Sequence, residues 1–358
     1  MTHRASERFH CGGKWKGKDM KQKRFVPGTP THNYQKGVRG DLLFYSVLDR
    51  LVYFTLFCTE ATKHHVTVLS LNLMMTHTHG LLSTESKARQ TAFNHTVERL
   101  YARSFNQVSG LNGPVFMKTY GWAQKRNSAK VRSCLAYIGN NHVEKKICRR
   151  GIEERWSLLA YAFSTHPFSE PLVIRRASAH MKKAVKLVRD AHRRGQILNH
   201  TLLRALFSGL DQKEREQLID FIIVCYSVID YDKAAAYFGS KEKMIAAFDT
   251  TTGSEYELTE DDEPEPDTAY IEMLKFLKKK GYDLVAKDFL NLSVREKRKL
   301  LDELTRKTSA SVRQASRLLR LPYSKNKHRQ AAQPGPFPRP DVDVPFFAIP
   351  FNSGDYAF

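Results

Sequence analysis

Two short stretches hold residues whose types and spacing suit nucleophilic attack beside a bound metal. Met75-Thr76-His77-Thr78-His79 ends an apolar, strand-like run with two histidines two positions apart. Strand side chains alternate between faces, so His77 and His79 project from the same one. Two neutral imidazoles held that way can share a divalent metal, the angle between them set by the strand. Such a pair also serves as a plain hydrogen-bonded pair, so chemistry needs a second group. It comes between Lys130 and His142, where Val131, Cys134, Leu135 and Ile138 recur at helical steps and predict a helix with one buried face. Tyr137 and Asn141, four apart, share another face of that helix. A phenol there can attack an electrophile beside a metal that the amide helps to hold. A boundary tyrosine with a hydrogen-bonded hydroxyl fits the same pattern.

These stretches, with Gln35-Lys36-Gly37, the run from Phe44 to Cys58, and Tyr137-Ile138 followed by Asn141 and Val143, occur in the order seen in the REP-associated tyrosine transposases. Those enzymes belong to the HUH single-tyrosine transposases, which act on single-stranded DNA. The resemblance continues through Glu154-Arg155-Trp156, Ala160-Tyr161-Ala162 and Ser169-Glu170 to Gly253-Ser254-Glu255-Tyr256, as in the long form with an added helical C-terminal part. It covers roughly residues 25 to 321. The resemblance implies a single-stranded DNA endonuclease and strand transferase that cuts and rejoins at hairpins. Tyr137 would form a 5′-phosphotyrosine, with His77 and His79 holding Mg²⁺ or Mn²⁺. Asn141 is the first choice for a third ligand and His142 the second. A phenol with an ordinary pKa near ~10 needs a base, a metal or a water relay to attack at neutral pH.

Some positions depart from the family pattern. Thr76 and Thr78 stand where relatives carry Asn or Asp and a bulky apolar residue; Gly139 and His142 replace a larger polar residue and Pro. Thr78 is strand-compatible, whereas Gly139 predicts a helix that ends or bends just after Tyr137. Two other readings follow. One is a domesticated, catalytically inactive protein that binds nucleic-acid hairpins. The other is a phosphodiesterase that uses activated water.

The elements that must position these residues read as strand, helix (Leu48 to His64), strand (Val66 to Met74), strand (His77 to Leu82), helix (Ala88 to Phe105), a short strand near Pro114 to Lys118, then the tyrosine helix. This predicts an α+β fold, a ferredoxin-like or RRM-like antiparallel sheet with helices on one face, followed by an all-α C-terminal region. The predicted division is a basic flexible arm (1–25), a nuclease domain (26–150), a helical extension (151–250), a solvated acidic linker (251–267), a basic unit resembling a helix-turn-helix (268–324) and a disordered tail (325–358). The aromatics of that tail, among them Phe346, Phe347 and Phe351, have no evident partner.

The net charge is +21 over 358 residues, which points to a polyanion, nucleic acid being the commonest. Between Lys118 and Arg150 nine Lys or Arg face one acid, Glu144, so charge and chemistry coincide. Lys118, Lys125, Arg126, Lys130 and Arg132 are candidates to follow phosphates, and Tyr120 and Trp122 to stack on unpaired bases. In the C-terminal unit Arg313, Arg317 and Arg320 are predicted to point outward, opposite Val312, Ala315, Leu318 and Leu319. The most apolar run, Leu42 to Cys58, contains Asp49 and Arg50, so no membrane span is expected. No secretory signal is read at the N-terminus, and the expected location is cytoplasmic, with the nucleoid. Five scattered cysteines without a CxxC indicate neither a disulfide framework nor a structural zinc cluster and read as core or surface thiols. A monomer and a homodimer both remain open.

Overall fold

The computed structural model describes residues 24–118, 120–251 and 265–323. The predicted arm, apart from its last two residues, and the tail lie outside them. The first part runs β1 (Thr31–Lys36), α1 (Val47–Lys63), β2 (Thr67–Leu73), β3 (His77–Ser83), α2 (Lys87–Ser109), β4 (Gly121–Gln124) and α3 (Ser128–Glu144). The four strands form one antiparallel sheet in the order β2-β3-β1-β4. That order, with a helix after β1 and after β3, is the ferredoxin-like arrangement.

The alternation of strand side chains separates two environments. Leu82 and Val68 turn to α1 and α2, where they join Phe54, Phe57, Phe93 and Val97. Leu81 and Leu69 turn the other way, onto Val131, Leu135 and Ile138 of α3. The crossover helices therefore cover one face and the tyrosine helix the other. α1 is buried around its whole circumference from Val47 to Ala61 rather than amphipathic. Its start is fixed by a capping box in which Ser46 and Asp49 satisfy each other's backbone N–H groups.

Three expectations need correction. The stretch near Pro114 to Lys118 supplies only an isolated bridge, Gly37 to Phe116, and the fourth strand is Gly121–Gln124. Four residues are too few to show a period of two. Gly139 neither ends nor bends α3, which continues to Glu144. Its role is close approach: a Cβ there would lie 2.9 Å from the Phe248 ring and 3.2 Å from Leu159. Residues 151–176 hold short 3-10 turns and irregular backbone rather than α-helix. Within them Arg155 is buried and paired with Glu216 at 2.6 Å and Asp220 at 3.3 Å.

The helical remainder comprises α4 (Ala179–Arg193), α5 (His200–Phe207), α6 (Gln212–Tyr226), α7 (Tyr231–Ala236), α8 (Lys241–Thr250), α9 (Thr268–Lys279), α10 (Val294–Lys307) and α11 (Val312–Leu318). α7 and α8 back α3 through Ala234, Met244 and Phe248. α9 to α11 belong to the same hydrophobic cluster as α1 and α2. The Tyr45 hydroxyl donates to the Leu318 carbonyl at 3.0 Å, and Lys287 donates to Asp49 at 2.7 Å. No described helix is long and apolar enough to cross a membrane.

Candidate active site

Cross-strand register assembles the site on the α3 side of the sheet. His79 lies opposite Tyr34 and Asn72, and His77 opposite Lys36. His32, Tyr34 and Lys36 alternate along β1, so all three share the face of His77 and His79. His77 and His79 lie with ring centroids 4.8 Å apart at 86°. His32 stacks on His79 at 5.2 Å, and their Nε2 and Nδ1 atoms are 3.0 Å apart. His77 Nδ1 is 2.9 Å from the Thr76 hydroxyl. In each of the two histidines Nδ1 is therefore engaged.

α3 brings the tyrosine to this cluster. Asn127 caps the helix, accepting from Lys130 N at 2.9 Å. The Asn72 amide donates to the Ile138 carbonyl at 2.6 Å, which ties α3 to β2 at the turn that carries Tyr137. The Tyr137 ring meets His79 edge-on at 5.8 Å and His32 at 6.0 Å. Asn141 shares the helix face of Tyr137, and its Nδ2 is buried without a hydrogen-bond partner. His142 does not share that face. It is fully buried away from the cavity, and burial, reinforced by Arg50, lowers its pKa to about 3. One residue step along a helix turns a side chain away, which removes His142 as a third ligand to a site that Asn141 reaches.

Tyr137, His77, Asn141, Thr76, Tyr34 and Lys36 line a small cavity of about 30 Å³. Its opposite wall comes from the C-terminal part: Glu265, Asp267, Tyr270, Gln314 and Arg317, with Glu144 and Lys145 at the end of α3. The supposed solvated linker therefore ends inside the site. Asp267 is only 6% exposed, its N–H donates to the Lys145 carbonyl at 3.1 Å, and Gln314 donates to the Pro266 carbonyl at 2.8 Å. Burial pushes the Asp267 carboxyl up to about 6, against the pull of Lys145 and Arg50.

Burial holds both site imidazoles well below the usual histidine range. Lys145 and Lys36 add to this at His77, and His77 and His32 at His79. Both rings are thus neutral, the state that metal ligation requires. Among the described residues no group of three or more His, Cys, Asp or Glu is arranged to hold a metal ion. A hard ion would need His77 and His79 completed by the Asn141 amide. The orphaned Asn141 Nδ2 fits that role, because turning the amide over puts its oxygen in the same place.

The other predicted contact residues fall elsewhere. Tyr120 and Trp122 face the α2 side of the sheet, the face opposite Tyr137. The Tyr120 hydroxyl is 3.0 Å from that of Thr91, and Lys87 lies 5.0 Å over the Trp122 ring. Lys125 is buried rather than presented to solvent. Lys118, Arg126, Lys130 and Arg132 are exposed, the last two on the first turns of α3. On α11 the predicted outward stripe turns inward. The Arg317 guanidinium packs against Gly40, where a Cβ would come within 2.8 Å, and Arg320 lies 4.5 Å over the Phe105 ring. Arg313 is half-buried. Ala315, Leu318 and Leu319 are buried as expected, whereas Val312 is 37% exposed. Arg317 and Arg320 turn inward because the α11 region packs against the first part of the chain, at Gly40 and Phe105, rather than standing free of it.

His32, Tyr34 and Lys36 were legible only as an alternation in Thr-His-Asn-Tyr-Gln-Lys, a signal that needs the register to acquire meaning. Asp267, 130 positions after Tyr137, has no local signal. Comparison with protein-family models, curated proteins and solved structures finds no match.

Proposed function

We propose that the chain is a transposase-type endonuclease and strand transferase that cuts single-stranded DNA at hairpin-forming sequences through a 5′-phosphotyrosine on Tyr137. The observation that carries this reading is the meeting of Tyr137 with the His77–His79 pair on one face of the sheet, with Asn141 a turn away. A structural tyrosine has no need of two neutral imidazoles and an orphaned amide beside it. His77, His79 and Asn141 would hold Mg²⁺ or Mn²⁺. A bound ion would polarise the scissile phosphate and disperse its charge.

The protein's own groups do the rest. His32 holds His79 through its Nδ1 and so fixes the direction of Nε2. Lys36, Lys145 and Arg317 line the cavity as cations that can meet a phosphodiester, among the carboxylates of Glu144, Glu265 and Asp267. The Tyr137 oxygen attacks phosphorus as the bond to the 3′-oxygen breaks. The phenol loses its proton and the departing 3′-oxygen gains one. Because the phosphotyrosine conserves the bond, another 3′-hydroxyl can reverse the step without a nucleotide cofactor.

A binding-only reading is favoured by one observation. Tyr137 is 8% exposed in a cavity of about 30 Å³ that also holds Glu265 and Asp267, which repel a phosphate. One experiment separates the two. Labelled single-stranded hairpins are incubated with Mn²⁺ and run on a denaturing gel beside Tyr137→Phe and His77→Ala/His79→Ala. A metal-dependent covalent protein–DNA band, lost in both variants, is the expected result. Tight hairpin binding with no adduct, unaltered by Tyr137→Phe, would replace the nuclease by the binding protein.

A further inference from the structure

A second cleft, which shares no lining residue with the Tyr137 cavity, lies between α4, α6 and the irregular segment that precedes α4. It has a volume of about 270 Å³ and is lined by Pro171, Leu172, Ile174, Phe221 and Val224, with Arg189 lying 5.3 Å over the Phe221 ring. Ile174 is 36% and Val224 37% exposed, and Val173 beside them is 48% exposed. Apolar side chains gathered round a concavity of this size mark a docking surface. Its polar floor is already satisfied: Asp220 accepts from the Tyr161 and Ser169 hydroxyls and from Phe168 N. The rim is basic. Lys182, Lys186 and Arg189 form one helical stripe along α4, and Arg175 and Arg176 follow Ile174, all of them exposed.

The chain contains a segment with the complementary chemistry. Beyond Arg339 there is no Lys or Arg in a protein whose net charge is +21. Residues 341–351 read Asp-Val-Asp-Val-Pro-Phe-Phe-Ala-Ile-Pro-Phe. Two carboxylates precede a dense apolar run, and two prolines lower the entropy lost when an extended segment is fixed. The 17 residues from 324 to 340 extend to about 55 Å at ~3.3 Å each. A folded body of this size has a radius of gyration of only about 20 Å. The tether is thus about as long as the body is wide, and tethering raises the local concentration of the segment.

We propose that residues 341–351 dock in cis in the α4–α6 cleft, with Phe346, Phe347 and Phe351 as the apolar anchors and Asp341 and Asp343 on the basic rim. Hydrogen–deuterium exchange on the full chain tests it. Three proteins are compared: the native sequence, Phe346→Ala/Phe347→Ala/Phe351→Ala, and Ile174→Asp/Val224→Asp, whose altered residues are exposed enough to leave folding intact. The expected result is at least tenfold slowed exchange of residues 341–351 and of 163–176 in the native chain, lost in both variants. A synthetic peptide of residues 340–358 should restore protection of 163–176 in the triple-alanine chain. Unprotected residues 341–351 in the native chain would overturn the proposal. So would protection that survives Ile174→Asp/Val224→Asp, which places the segment elsewhere, or protection that rises with protein concentration, which places it on a second copy.

Discussion

His32 acts on the site through His79. Its Nε2 lies 3.0 Å from His79 Nδ1, and the stacked rings leave His79 little freedom to turn. On the proposed metal site, loss of such a supporting partner costs about 10–100-fold in affinity. His32→Ala should therefore weaken Mn²⁺ binding by that factor in titration calorimetry, with the fold retained by circular dichroism; unchanged affinity would show that His32 merely packs. A second residue acts through pH. Glu98 sits on the α2 side of the sheet, where burial pushes its carboxyl up to about 7 and its Oε1 has no hydrogen-bond partner. In the unfolded chain a glutamate releases its proton near ~4.3. Between these two values the folded state holds a proton that the unfolded state has lost, so stability falls as pH rises through the window. Glu98→Gln should flatten that dependence and stabilise the protein by about 1–3 kcal/mol at pH 8, read from urea denaturation at several pH values. A variant whose midpoint still falls from pH 5 to 7 as the native protein's does would assign the effect elsewhere.

At the scale of elements, one buried carboxylate joins three parts of the chain. Asp49 caps α1 through its Oδ2, and its Oδ1 accepts from Lys287 at 2.7 Å and lies 2.8 Å from His200 Nε2. Burial alone would raise its pKa, but Lys287 and His200 hold it well below the ordinary carboxylate range. Lys287→Met leaves that charge buried with its main cation gone, which costs about 3–5 kcal/mol. The double variant Lys287→Met/Asp49→Asn should recover part of the loss, and a double-mutant cycle measures the coupling. None of this could be read from Asp49 or Lys287 alone, since each is an ordinary polar residue until 238 positions of chain bring them together. The elements themselves were more legible. The helices α1 and α2 and the strands β2 and β3 lie close to where the sequence placed them, and His77 and His79 fell on one face as alternation required. What failed was what depends on neighbours. Gly139 reads as a helix breaker until Phe248 stands over it, and Tyr120 and Trp122 read as a binding platform until β4 turns them toward α2.

For the whole molecule, the decisive matter is where cores end. The acidic stretch up to Asp267 and the basic helices after it suggested a detached module on a solvated linker. In the structure Ala315, Leu318 and Leu319 of the last helix region are fully buried in the cluster that α1 anchors, and Asp267 and Gln314 stand across the cavity from Tyr137. The last helices are thus part of the body that shapes the site. A wall made this way cannot leave without exposing the apolar surface of α1, so the free energy of its detachment approaches that of unfolding the whole. Calorimetry on the full chain should show a single transition with calorimetric and van't Hoff enthalpies in agreement. Lys287→Met should move that one transition down without splitting it. Two resolved transitions, the smaller abolished by a charge placed at Leu318, would instead mean that α9 to α11 fold by themselves and that the site's second wall is a separable domain.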